Sequence, residues 1–327
     1  MVGCVLTLVL VAFALFGPFL VGKDPYESDF VRGVSHETGL PTGPGADFLL
    51  GADRLFRDQL ARLALGARLS LVIAFSATAI STVLGGAVGI LAGYYEGSSG
   101  VRFPWPFLTS LAIAIALLVT RGTWPLPLAS IAAGGLASVI AEKGHIAWLT
   151  KGPHVNVDVA LMRVVDVGLS FPFLLLVMAI GAALEKTTIT SILVVLGLTG
   201  WLGAARIFRA KTLQIRRLEY VEASRALGQS TVRILLRHVL PNVAGTFIVI
   251  STMAVAQMIL AESALSYLGV GISPPTPTWG RMLFEGQDIY GAAPWLVLAP
   301  AVAILAAVLG FNLLGEGLRD ALDPQQD

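Results

Sequence analysis

Two acidic residues, Glu262 and Asp166, lie in or beside long apolar runs, where an ionisable side chain is costly and is a candidate for function by default. A carboxylate at such depth can carry a proton or a cation, which would make the chain an ion-driven secondary transporter using Glu262. Asp166 has Arg163 one turn before it, a spacing that allows a local ion pair and a structural role. Glu262 falls nearer one end of its run, where it can line a gate. Other chemistries find few residues. The histidines, His36, His145, His154 and His238, stand far apart and lack metal-ligand spacing. The one cysteine, Cys4, excludes an intrachain disulfide framework and a multi-cysteine metal centre. No G-x-x-x-x-G-K-[ST] loop is present to cradle ATP phosphates, and no G-x-S-x-G or H-E-x-x-H motif suggests hydrolysis. The expectation is a chain with no catalytic residue, no metal and no cofactor of its own.

The elements that position these residues are membrane spans. Of 327 residues, 55% are hydrophobic and only 13% charged, about half the charge of an ordinary soluble protein, and mean hydropathy is +0.78. Apolar runs of ~18 residues or more match the ~30 Å hydrocarbon core of a bilayer. The net charge of +1 argues against a nucleic-acid partner.

Residues 1–22 read as a first transmembrane helix, because the basic n-region and small-residue cleavage site of a signal peptide are both missing. Residues 23–69 are polar, with six Lys/Arg against seven Asp/Glu. Within them Phe56, Leu60, Leu63 and Ala67 recur at helical spacing, which predicts an amphipathic helix over 51–69, lying along the membrane surface or packed as an ordinary surface helix. A span over 70–93 carries Gly85, Gly89 and Gly93 on one face, suited to close helix packing. Two shorter apolar stretches, 103–120 and 124–141, either cross or form a re-entrant hairpin. Later spans are expected at 159–183, 190–209, 242–268 and 294–315, making eight, or six without the hairpin.

Between Arg206 and Pro241 stand eight Lys/Arg and two acids, so the positive-inside bias makes this segment cytoplasmic. Alternation then puts 23–69 and 269–293 outside and both termini inside. The segment over 210–241 reads as two short helices joined at Gly228, a natural C-cap, with the second starting at Ser230 or Thr231 and ending before Leu240-Pro241. A basic loop resting on anionic lipid headgroups is the simpler reading.

The order Glu222-Ala223-Ser224, then Gly228, then Leu240-Pro241 resembles the E-A-A cytoplasmic loop of ABC importer permeases. Ser224 stands where the pattern usually has a second alanine, and His238 where it often has isoleucine. Further segments narrow the resemblance to the dipeptide, oligopeptide and nickel importer permeases: 48–58 and 66–71, then 162–172, 262–271, 274–280 and 311–324. Phe56 sits where those permeases usually have glycine, and the insert at about 100–157 replaces a short connection.

The resemblance implies an all-α, polytopic membrane helical bundle of the ABC importer permease type, with six core spans plus a two-helix insert. The permease core would run over 70–318, followed by a cytoplasmic tail at 319–327. It implies a bacterial inner-membrane subunit that is not an enzyme and that imports peptides or nickel chelates. Its partners would be a second homologous permease, cytoplasmic ATP-binding subunits, an extracytoplasmic substrate-binding protein and membrane lipid. Glu222, Ala223, Ser224, Gly228, Leu240 and Pro241 would couple it to the ATPase: small side chains permit close approach, Gly228 sets the bend, and Glu222 meets a cationic or capping partner. Glu262, Trp279 and Gly280 are the candidates for the substrate path, with Trp279 and Gly280 also placed to meet the binding protein.

Overall fold

The computed structural model describes residues 1–36, 38–97, 101–102, 106, 109–110, 113, 125–143, 154–183 and 187–322. The chain divides into two compact units, one formed by Met1–Ile90 with Val165–Asp327 and the other by Leu91–Val164.

The larger unit is a helical bundle. Helix α1 (Val2–Leu20) is followed by an irregular segment, then by α2 (Gln59–Tyr94). At ~1.5 Å per residue, the 36 residues of α2 make a rod of ~54 Å, well beyond the ~30 Å of hydrocarbon. The expected helix over 51–69 is corrected here. Residues 51–58 form turns, because Asp53 Oδ1 accepts from Leu55 N at 2.8 Å and Arg57 N at 2.9 Å, offering the backbone an alternative to helix. The helix begins where Asp58 Oδ1 takes the Ala61 N–H at 2.8 Å, a cap worth about 1 kcal/mol. Leu63 and Ala67 then join the core, so this stretch is the first part of the span and does not lie along a membrane surface.

The expected span over 159–183 is also corrected. It is two helices, α4 (Val157–Leu169) and α5 (Phe173–Ala182), bent by 80°. Pro172 is the cause: it disfavours helical backbone at Phe171 and brings no N–H of its own. Ahead of it lies α3 (Pro125–Lys143) in the smaller unit, where strands of two residues each, Val101–Arg102 and His154–Val155, pair antiparallel. The apolar stretch at 103–120 falls largely outside the described residues. The one at 124–141 is largely α3, in which only Leu128–Ser138 registers as a short apolar helix.

The remaining elements are α6 (Ile189–Arg216), opened by a Thr188–Ser191 capping box; α7 (Glu219–Ala226); α8 (Thr231–Ile234); α9 (Leu240–Tyr267); α10 (Trp279–Gly286), capped by Thr278; and α11 (Trp295–Leu322). A π turn, Leu235–Val239, links α8 to α9 without a break. The second helix of the 210–241 segment therefore does not stop before Leu240-Pro241. Pro241 sits in the first turn of α9, where its missing N–H and the clash of its ring with the preceding turn are tolerable. Among the described residues five helices are long and apolar enough to cross a membrane, and six if α4 and α5 count as one span. That matches six core spans.

The core joins α1, α2, α9 and α11 around Ile73, Ala77, Ile259, Ala307 and Phe311. Gly85 and Gly89 let α2 approach α6 at Ala204, Ala205 and Phe208, where a Cβ would collide with backbone. One position carries strain. Phe56 has φ of +61°, which costs a non-glycine residue about 1–2 kcal/mol and explains why glycine suits this site. Its ring recovers part of this edge-on against Phe30, centroids 5.6 Å apart, a contact worth about 0.5–1.5 kcal/mol. Phe56→Gly should therefore leave stability nearly unchanged, whereas Phe56→Ala keeps the strain and loses the ring. Thermal unfolding in detergent should place the glycine variant above the alanine variant.

Candidate functional site

Three features of the larger unit bear on function, the first at one end of the bundle. Helix α7 follows α6 through Arg217 and Leu218 and buries Val221 and Ser224. Its neighbours bury Ile215, Ile234 and Val239. Gly228, at φ +73°, ends it in a Schellman turn: Gln229 N bonds to Ser224 O at 3.2 Å and Gly228 N to Arg225 O at 3.0 Å. Nothing lies within 4 Å of where a Gly228 Cβ would be, so the requirement is the left-handed backbone and not space. Glu222 and Ala223 are exposed on the outer face; Leu240 and Pro241 are exposed where α9 starts. Leu227 is 81% exposed, with Tyr220, Val232 and Leu236 also open. Arg225, Arg233 and Arg237 stand exposed among them. The structure thus brings Glu222, Ala223, Ser224 and Gly228 into one knob and leaves Leu240 and Pro241 at its root.

The second feature is an ion cluster at the opposite end. Arg62, wholly buried, bridges Asp53 at 3.1 Å and Glu285 at 2.7 Å. Arg57 pairs with Asp53 at 2.6 Å and reaches Glu285 at 3.5 Å, and Arg281 holds Glu285 at 3.1 Å. The cluster ties the 21–58 segment to α2 and α10. Below it Glu262, 0% exposed, accepts from Ser266 Oγ at 2.8 Å and Ser70 Oγ at 3.2 Å. Ser70 Oγ in turn accepts the Trp279 N–H at 3.3 Å, and Trp279 Nε1 donates to Leu63 O at 3.3 Å. Trp279 and Gly280 are buried, and a Cβ on Gly280 would strike the Ser263 backbone. Neither can touch an external protein, which corrects the expected surface contact: they pack α10 onto α2 and α9. Asp166 pairs with Arg206 at 2.7 Å across to α6, in place of the local pair expected with Arg163.

The third feature is a cavity of about 360 Å³ at mid-length of the bundle, opening at the α4–α5 bend. Ser81 and Thr82 of α2, Thr199 of α6 and Gln257 of α9 give it neutral polar groups among Phe171, Phe173, Leu176 and Met258, and no charged residue lines it. Glu262, Trp279 and Gly280 are not part of it. Sequence reasoning passed over these four polar residues because isolated hydroxyls are ordinary in membrane helices; the Ser170-Phe171-Pro172 break was the signal that a cavity lies nearby.

Residues 145–327 match the family described as binding-protein-dependent transport system inner membrane component. The chain belongs to this family. The permease is 34% identical, over 99% of its length and 87% of the relative's, to the di/tripeptide transport system permease protein DppC of Pseudomonas aeruginosa. It is 33% identical to the dipeptide permease protein DppC of Bacillus subtilis, over 99% of this chain and 81% of the other, and 29% to the oligopeptide permease protein OppC of the same organism, over 99% and 85%. Among solved structures, an inward-facing form of the MetNI methionine ABC transporter aligns with TM-score 0.37 and 16% identity over 74% of the permease and 94% of that chain.

The geometry makes two pairs of variants informative. Arg62→Ala of the permease removes the buried centre of this network but leaves Asp53 with Arg57 and Glu285 with Arg281, so it should cost about 1–3 kcal/mol. Arg54→Ala, which breaks an exposed pair with Asp288, should cost about 0–1 kcal/mol. Thermal melts of the detergent-purified protein would separate them. At the knob, Gly228→Val should lose about 1–2 kcal/mol of local stability and most transport, while Gly228→Asn, which tolerates the left-handed region, should retain transport. Equal uptake by both would show that the turn is not needed.

Proposed function

We propose that this chain is the transmembrane permease subunit of an ATP-driven importer, translocating peptides that an external binding protein delivers, with nickel chelates as a second substrate class. The relatives' names support peptides. The neutral cavity supports a path wall that does not select by charge, as a carrier of varied sequences needs. A second, homologous permease would complete that path on the open side of the cavity, and lipid would cover the remaining apolar faces.

One observation carries the coupling. The knob at 218–238 exposes Leu218, Tyr220, Leu227, Val232 and Leu236 on a segment with three arginines against two acids, and five more Lys/Arg precede it over 206–217. Large apolar side chains left open on a polar projection beside Arg225, Arg233 and Arg237 support a protein contact. The positive-inside bias assigns it to the cytoplasm with both termini, where the ATP-binding subunits would grip it. Closure of the ATPase pair displaces α7, and α6 and α9 carry the displacement to the cavity. ATP is bound and hydrolysed by those partners. The shift between inward-open and outward-open forms is driven by the difference in partner affinity for the two.

No observation favours the ion-driven reading. Glu262 is held by hydroxyls, and among the described residues no cluster of three acidic, histidine or cysteine side chains stands ready for a cation.

The test is to purify the tagged chain from native membranes in mild detergent and weigh what accompanies it. A second permease and ATP-binding subunits should be present, and Leu227→Asp should shed the ATP-binding subunits while the second permease stays. Glu222→Lys should abolish uptake with normal insertion. Full retention of ATPase and uptake by both variants would overturn the coupling assignment.

A further inference from the structure

A polar contact crosses the packing face between α7 and the π turn at the root of α9. Ser224 is 7% exposed on the inner side of α7. Its hydroxyl donates to Tyr220 O in its own helix at 2.7 Å, so its single proton is used. What Ser224 Oγ presents to His238 Nε2, 3.3 Å away, is a lone pair. Nε2 must therefore carry the hydrogen, which holds for the neutral Nε2–H tautomer and for the imidazolium alike. The His238 ring also leans on Tyr220, centroids 5.8 Å apart, and the His238 carbonyl accepts from Asn242 Nδ2 at 2.6 Å.

His238 lies inside the π turn. From Thr231 to Tyr267 the chain is one 37-residue helical rod, and this widened turn, with poorer hydrogen bonding than the α-helix around it, is where a rod of that kind gives way. A push on α7 reaches α9 undiminished only if the turn is braced. Ser224 and His238 are the two positions where the segment departs from the E-A-A pattern, fourteen residues apart in sequence, and they meet. Each supplies what the other requires, since a buried hydroxyl and a half-buried imidazole N–H lose less when paired than when either faces an apolar neighbour.

We propose that Ser224 and His238 are positioning residues for energy coupling, their hydrogen bond bracing the π turn so that the knob and α9 move as one body. The proposal rests on the reading of 210–241 as the ATPase-coupling segment. It does not involve a change of protonation, because both donor forms of the ring make the bond.

The experiment uses the full complex in proteoliposomes with a defined mixture of di- and tripeptides, and reads peptide imported per ATP hydrolysed. Ser224→Ala and His238→Leu should each lower this ratio about five-fold, the population shift carried by a hydrogen bond worth about 1 kcal/mol. His238→Gln, whose amide N–H reaches nearly the position of Nε2–H, and Ser224→Thr should hold it within two-fold of wild type. The double variant Ser224→Ala/His238→Leu should be no worse than either single, because the bond is lost only once. Hydrogen exchange over 235–240 should quicken in the two disrupting singles and not in the two conservative ones. Ratios equal to wild type in both disrupting singles, or a double variant at the product of their losses, would overturn the brace. If the wild-type complex brings no ATP-binding subunits, the coupling reading itself fails; if it brings them and the ratios do not move, only the brace fails.

Discussion

A polypeptide in hydrocarbon has no water to complete its hydrogen bonds, and this permease is organised by that constraint. Each backbone N–H and C=O in a span must find its partner within a helix or lie against protein or a wet cavity. The apolar runs satisfy the rule as uninterrupted helices, and their stiffness follows from it. Regular helical bonding is suspended at a few places. The bend at Ser170–Pro172 sits beside the mid-length cavity. The π turn at Leu235–Val239 sits where α9 leaves the knob. Gly228 releases the backbone between α7 and α8.

The two ends of the bundle solve opposite problems. The end with Asp53, Arg57, Arg62 and Glu285 is locked by buried charge, and the backbone around it is folded over α2 and α10: Trp295 Nε1 holds Ala52 O at 3.1 Å, and Lys23 holds Asp58 at 2.8 Å. Breaking such a cluster leaves uncompensated charge behind, so that end resists rearrangement. The knob end packs aliphatic side chains and a hydroxyl–imidazole contact, and it leaves Leu227, Val232 and Leu236 in the open.

Much of this was legible in the sequence. Apolar run length gave the number of core spans, since bilayer thickness dictates helix length. Gly228 was legible as a turn because a left-handed C-cap has few alternatives to glycine, and Gly85 and Gly89 as a packing stripe because their spacing is that of one helix face. The start of α2 was missed by eight residues, since periodicity from Phe56 onward is helical but Asp53 and Asp58 redirect the backbone N–H groups. The break at Pro172 was present in the residues and was outweighed by the length of the apolar run. Trp279 and Gly280 were assigned to a surface because they follow a polar, proline-rich segment; only the tertiary fold turns them inward onto Ser70 and Ser263. The meeting of Ser224 with His238 was out of reach, because a contact between two helices depends on how they cross.

The buried ion cluster also sets how the molecule responds to heat. Charged groups are hydrated less favourably as temperature rises, so the desolvation cost of holding Arg62 and its carboxylates out of water falls on warming, while the hydrophobic contribution per unit area levels off. The knob relies on the second of these and the ion-clustered end on both. Warming therefore widens the difference between them, and the ion-clustered end becomes the relatively tighter part of the fold while the knob end loosens first.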